Sequence, residues 1–262
     1  MTALFLDLSS SDALSDIELV DATWTLTGSN AKLNGFLKNT RYSVDCDAIK
    51  SVTIAERLTT AASVFGLAGM SGKQTYAVYD RAGLFSAPWV WWMLYSFGHD
   101  PKLLEGSSEY VAELEVTPRP TSFLTQADPK SRNADWNDVL QAIDGSTQII
   151  DARPPGRFSG EMAEPRPECR SGHIPTSKNV PFAILKSPDK PHAFKDRKTL
   201  NALFDRVSLD LSKPIITTCG SGVTASGLAI CLLRAGAKDV RVYQGSWAEW
   251  GVNADLPVET GA

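Results

Sequence analysis

The segment Pro214-Ile-Ile-Thr-Thr-Cys219-Gly-Ser-Gly-Val-Thr-Ala225 holds the side chain best suited to covalent chemistry. An apolar, β-branched run ends at Thr218 and a helical pattern opens near Val223, so Cys219 falls on the turn between a strand and a helix. Gly220 and Gly222 let that turn adopt backbone angles that a residue with Cβ resists. Such a turn can aim successive N–H groups at one point, forming an anion-binding concavity at a helix N-terminus. A sulfur placed there is favoured as thiolate, and a persulfide on it as an anion, by about 0.3–1 kcal/mol at an exposed helix end and up to about 2 in an enclosed one. Read alone, the pattern fits two roles, a nucleophile or a small buried hydrophobe beside a tight turn.

The other cysteines are weaker candidates. Cys231 lies among Leu228, Ile230, Leu232 and Leu233 on the following helix and reads as packing. Cys46 reads as inert despite its acidic neighbours, and Cys169 stands in a basic segment where an accessory redox role is the alternative to packing. The four cysteines are far apart and form no C-x-x-C pair, so neither a zinc site nor a disulfide framework is indicated and reduced thiols in the cytoplasm are expected.

Elements that could position Cys219 follow from periodicity. Strands are expected at Ile17–Asp21, Thr75–Asp80, Gln148–Asp151, Pro214–Thr218 and Val240–Tyr243, and helices at Ile54–Phe65, Ala87–Phe97, Ala134–Ile143, Thr199–Val207 and Val223–Ala235. The alternation predicts α/β layers on mainly parallel sheets. The halves also look duplicated. Val20-Asp21-Ala22 matches Ile150-Asp151-Ala152, Tyr79-Asp80-Arg81-Ala82-Gly83 matches Thr218–Gly222, Gly98 matches Gly236, and Gly106-Ser107 matches Gly245-Ser246. Asp80 thus holds the place of Cys219 in the first half. The proline-bearing stretch Ala112–Asn133 is the expected join, which divides the chain into 1–124, non-catalytic, and 125–262, catalytic.

With 43% hydrophobic and 21% charged residues, the composition is that of a globular protein able to bury its own core. A net charge of −4 argues against a nucleic-acid partner. No stretch nears the ~18 apolar residues that a membrane span needs, and Asp7 with no basic segment before it argues against a secretory signal.

Cys219-Gly220-Ser221-Gly222-Val223-Thr224 resembles the active-site loop of the two-domain rhodanese family, specifically its 3-mercaptopyruvate sulfurtransferases. Thiosulfate-using members usually carry basic residues in this loop, where Gly220 and Ser221 are neutral, and the phosphatase-like branch needs an arginine where Ala225 stands. A second match runs from Asp151 through Arg153, Arg157 and Arg166 to Gly172-His173-Ile174-Pro175 and Asn179-Val180-Pro181. The resemblance implies that Arg157 and Arg166 bind the carboxylate and carbonyl of an α-keto acid, a task suited to bidentate guanidinium groups. It implies substrate contacts from Gly220, Gly222, Val223 and Thr224, and a structural role for the His173 turn. Arg153 is expected to form a domain-fastening ion pair, Arg170 to be a rim charge, and Trp247 to pack with a face towards the cleft.

Resemblance is looser over Val78–Gly106 and breaks down around residues 28–60. In the family an aspartate and a histidine from the N-terminal domain join the loop serine, here Ser221. Asp47 takes the aspartate place, but the histidine has no counterpart. Ser221 without a relay, proton transfer through water, or a cleft opened to another substrate are the alternatives. The Trp89–Tyr95 run reads as a packed helix, with an exposed protein-docking face as the rival reading.

The expected architecture is two tandem rhodanese-like domains with the site in the cleft between them. The expected reaction takes sulfur from 3-mercaptopyruvate, a small-molecule donor, through a Cys219 persulfide to a thiol, cyanide or thioredoxin-like acceptor. It requires no metal or organic cofactor. The rival readings are a thiosulfate:cyanide sulfurtransferase and a sulfur-relay or regulatory binding protein.

Overall fold

A computed structural model describes residues 4–7, 16–25, 35–106, 110–111, 115–190 and 192–261. Ser107, residues 112–114 of the expected join, and residues 28–34 of the divergent stretch lie outside the described residues. The chain forms two compact units, Met1–Pro129 with Pro188–Ala193, and Lys130–Ser187 with Phe194–Ala262.

In the first unit the strands are β1 (Phe5–Asp7), β2 (Ile17–Asp21), β3 (Phe36–Leu37), β4 (Thr40–Ser43), β5 (Thr75–Tyr79), β6 (Lys102–Glu105) and β7 (Tyr110–Val111). Its helices are α1 (Cys46–Lys50), α2 (Arg57–Leu67) and α3 (Ala87–Ser96). The second unit has β8 (Asn133–Ala134), β9 (Gln148–Asp151), β10 (Lys178–Asn179), β11 (Ile215–Thr218) and β12 (Val240–Tyr243). With them come α4 (Trp136–Ile143), α5 (Pro155–Ser159), α6 (Phe182–Leu185), α7 (Arg197–Arg206), α8 (Val223–Ala235) and α9 (Ser246–Trp250).

Each unit is built on a five-stranded sheet, in the order β1-β6-β5-β2-β4 in the first and β8-β12-β11-β9-β10 in the second. All pairs within these two sheets are parallel, so the chain must cross over between neighbours, and helices supply most of the crossovers. The orders are the same when β2 is laid on β9 and β5 on β11. The match extends to single bonds: Ala22 N–H donates to Tyr79 O at 2.9 Å, as Ala152 N–H does to Thr218 O at 2.9 Å. The duplication read around Asp21 and Asp151 is therefore present in the backbone.

Central strands of parallel sheets are buried on both faces, and β11 is buried along its whole length. In the first unit α3 packs on β5 and β6, and Trp89, Trp91 and Trp92 are fully buried. The docking-face reading of that helix does not hold. Gly98 and Gly236 stop α3 and α8 with φ of 91° and 117°, as their matched positions implied.

The division falls at Pro129/Lys130 rather than 124/125, and the bonds of the join explain the difference. Thr121 N–H donates to Gly66 O, Leu124 N–H to Ser71 O, and Ala127 N–H to Phe97 O, tying the join to the first unit. His99 completes the clamp. Its Nε2 bonds Leu124 O at 3.0 Å and its Nδ1 lies 3.3 Å from the Gln126 amide nitrogen. The carbonyl requires Nε2 to carry the hydrogen, so Nδ1 accepts and the neutral ring is the one that fits.

Burial lowers the His99 pKa from its ordinary value, opposed by the bond to Leu124. Below about pH 6.5 the unfolded chain binds a proton there that the folded state resists, so stability falls as pH falls. Between pH 7.5 and 5.5, His99→Gln should lose less stability than the parent does, read as the shift in urea midpoint of a first-unit probe. Equal losses in both would remove His99 from the account.

Candidate active site

Cys219 follows directly on β11, and α8 begins four residues later at Val223. The N–H groups of Ser221 and Gly222 point at Cys219 Sγ, at 3.5 and 3.2 Å. The short helix α9 imposes this orientation. Trp247 N–H and Ala248 N–H take the carbonyls of Cys219 and Gly220, each at 2.9 Å, which turns the following amides towards the sulfur. Ser246, at the unusual φ of 51°, accepts from Cys219 N–H at 3.1 Å and donates to Tyr243 O at 2.7 Å, with its Oγ 3.9 Å from Sγ. Gly222 has φ of 89°, and a Cβ there would stand 2.7 Å from Gln244 O, so only glycine fits without displacement. Cys219 is 2% exposed, Ser221 and Val223 are buried, and Gly220 and Thr224 are half-buried.

Arg157 lies beside this loop. An ideal Cβ on Gly220 would stand 3.2 Å from Arg157 Nη2 and 3.9 Å from Nη1. A side chain at Gly220 would press on the guanidinium, which would have to give by a few tenths of an ångström. Arg157 is clamped by the buried carboxylate of Glu164, which accepts from Nε at 3.1 Å and from Nη2. Arg166 is half-buried on the same loop, with its carbonyl accepting from Cys169 N–H.

Other basic residues serve the frame. Arg153 is 1% exposed, paired with Asp151 and Glu164 inside the second unit, and stacked 4.2 Å over Trp247. Its ion pair therefore fastens one unit internally. Arg170 is not a rim charge: its guanidinium donates to the carbonyls of Trp250, Gly251, Asn253 and Leu256 and holds the C-terminal segment. Trp247 is 1% exposed and donates to Arg170 O, so it packs rather than presenting a face. His173 stacks on Phe158 at 3.9 Å and its Nδ1 lies 2.9 Å from Phe158 O, consistent with a structural turn. Cys169 packs against the second unit's core, where burial pushes its thiol up and nearby Arg166 opposes the shift. Cys231 is fully buried in α8.

Comparison with known proteins places this geometry. The rhodanese-like domain pattern matches residues 135–253. The 3-mercaptopyruvate sulfurtransferase of Escherichia coli (strain K12) is 34% identical over 263 residues, covering 93% of this chain and 92% of the relative. The chain belongs to the 3-mercaptopyruvate sulfurtransferase family. The Rattus norvegicus member is 37% identical over 207 residues, covering 75% of this chain and 69% of its own. The crystal structure of SseA from Escherichia coli, described as a rhodanese fold, superposes with a TM-score of 0.74 at 27% identity, covering 94% of this chain and 99% of that one. The protein is accordingly a sulfurtransferase built from two rhodanese-like units.

Within this family member the first unit keeps the loop but fills it. Asp80, at the position matching Cys219, is 2% exposed, and its carboxylate accepts four backbone N–H groups. Oδ1 takes Ala82 and Leu84 at 2.8 and 2.9 Å, and Oδ2 takes Ser86 and Ala87 at 2.9 and 2.7 Å. Burial pushes the Asp80 carboxyl up from its ordinary value, while those four bonds pull it down. A cradle that holds a carboxylate in one unit holds a sulfur in the other.

Of the residues expected at the site, Cys219, Gly220, Ser221, Gly222, Val223, Thr224, Arg157 and Arg166 all belong to the second unit. Asp47 belongs to the first, on α1, exposed, with its carboxylate 2.5 Å from the Trp24 indole nitrogen. Sequence reasoning missed Glu164 and Ser246. The first stands two residues before Arg166 in a loop rich in glycine and proline, but nothing in the residue order announces that it is buried.

Proposed function

We propose that this enzyme moves sulfur from 3-mercaptopyruvate to a thiol, cyanide or thioredoxin-like acceptor and releases pyruvate. Cys219 as thiolate attacks the donor's sulfur. A sulfur–sulfur bond forms, the donor's carbon–sulfur bond breaks, and its electron pair passes to carbon as the enolate of pyruvate. The enolate takes a proton through the Ser221 hydroxyl or water, leaving Cys219 as a persulfide. An acceptor thiolate then attacks the outer sulfur and regenerates the Cys219 thiolate. The amides of Ser221 and Gly222 bind the negative sulfur, while Arg157 and Arg166 hold the keto-acid end.

The observation that carries this reading is the Arg157 guanidinium set against Gly220, one residue from the sulfur. A cation there suits a donor whose charge lies on a carboxylate removed from the reacting sulfur. The family's kinship with 3-mercaptopyruvate sulfurtransferases supports the same donor.

Purified protein supplied with 3-mercaptopyruvate and a thiol should release pyruvate with a higher kcat/KM than for sulfur transfer from thiosulfate. Arg157→Ala removes charge-assisted hydrogen bonds worth roughly 1.5–3 kcal/mol, so KM for 3-mercaptopyruvate should rise about 10–100-fold. Discharge of preformed persulfide should change little. A KM unaltered by Arg157→Ala, or a preference for thiosulfate, would defeat the assignment.

A further inference from the structure

Glu164 is 9% exposed as a residue and 1% as a side chain, an unusual place for a carboxylate unless it is paired. It is paired twice. Oε1 accepts from Arg153 Nη1 at 2.9 Å and from Arg157 Nε at 3.1 Å, while Oε2 takes Arg157 Nη2. Arg153 is itself immobilised by Asp151 at the end of β9, with Nη2 2.7 Å from Oδ2, by Gly172 O at 2.8 Å and by the Trp247 ring. Alternating charges therefore run from the sheet to the loop: Asp151, Arg153, Glu164, Arg157. Only the last member reaches solvent appreciably, its side chain being 20% exposed.

This arrangement decides which edge of Arg157 is available. A guanidinium offers a side edge, Nε with one Nη, and a tip made of both Nη groups. Glu164 occupies the side edge. The tip is the part beside Gly220, with Nη2 and Nη1 3.2 and 3.9 Å from an ideal Cβ there. Arg157 sits on a five-residue helix, and its long side chain would otherwise sample many rotamers.

We propose that Glu164 is a positioning residue: it aims the Arg157 tip at the donor's carboxylate beside Cys219, using Arg153 as its fixed anchor. The inference rests on the reading of Arg157 as a donor-binding residue and adds how that residue is oriented. Glu164 touches neither donor nor sulfur and acts through Arg157 alone.

A double-mutant cycle with full kinetics tests it. Glu164→Gln retains the shape but loses the charge, and KM for 3-mercaptopyruvate should rise about 10–30-fold. kcat and the discharge of preformed Cys219 persulfide by cyanide should stay within about 3-fold, since neither uses the keto-acid grip. In an Arg157→Ala background, Glu164→Gln should add less than about 2-fold to KM. Glu164→Asp, with a shorter reach, should lie between wild type and Glu164→Gln, and it replaces Gln in the same cycle if that variant fails to fold. Multiplicative KM effects in the double variant, or an unchanged KM in both single Glu164 variants while Arg157→Ala raises it, would overturn the positioning role. If Arg157→Ala alone leaves KM untouched, the donor-binding reading itself falls.

Discussion

Cys219→Ser should abolish sulfur transfer while leaving the fold in place. The serine oxygen can still occupy the space before the Ser221 and Gly222 amides, so the loop loses no obligatory acceptor. It cannot form a persulfide, which needs a nucleophilic sulfur that is also a competent leaving group. Removing a covalent nucleophile typically costs several orders of magnitude, and pyruvate release should fall at least ~10⁴-fold. Intact-protein mass spectrometry after 3-mercaptopyruvate should show one added sulfur in the parent and none in the variant. Turnover that survives the substitution would place the chemistry elsewhere, with Cys169 the next thiol to examine.

The largest stability effect is expected at Asp80, which does no chemistry in this scheme. Asp80→Ala removes a carboxylate that satisfies four N–H groups at once, three of them buried. Each buried donor left without a partner costs about 1–3 kcal/mol, although water entering the space recovers part of it. A net loss of about 3–5 kcal/mol is expected, at the upper end for single substitutions. Because the chain has two units, the loss should be read locally, as faster amide exchange in β5 and the start of α3 with β11 and α8 unaffected. Uniform change across both units, or less than ~1 kcal/mol in the first, would mean that the cradle is not held by its acid.

The paired loops clarify what the duplication preserved. Strand, turn and helix make a concavity of backbone donors, and that concavity must be occupied because unpaired buried amides are costly. The first unit satisfies the requirement with its own carboxylate. The second satisfies it with the thiol of Cys219. At this matched turn the two units differ in the side chain that fills the concavity, Asp80 in one and Cys219 in the other.

Much of this was legible in the residue order because the governing physics is short-ranged. Apolar, β-branched runs marked β2, β5, β9, β11 and β12 nearly to the residue, since a buried parallel strand needs that composition. The glycines about Cys219 announced the turn, and Asp21 and Asp151 betrayed the duplication. The edge strands β1, β8 and β10 escaped notice, being too short for periodicity to register, and so did β4 and β6, whose short runs include charged residues.

The amino-acid sequence by itself determined the chemistry available here: a cysteine at a glycine-bearing strand–helix turn, arginines upstream, and an acid in the matching turn of the other half. Only tertiary structure decided that Arg170 serves the frame, that Glu164 pairs with both Arg153 and Arg157, and that the join clings to the first unit. Those outcomes depend on which distant groups meet when burial removes water, so that each buried charge or amide must find a partner from elsewhere in the chain.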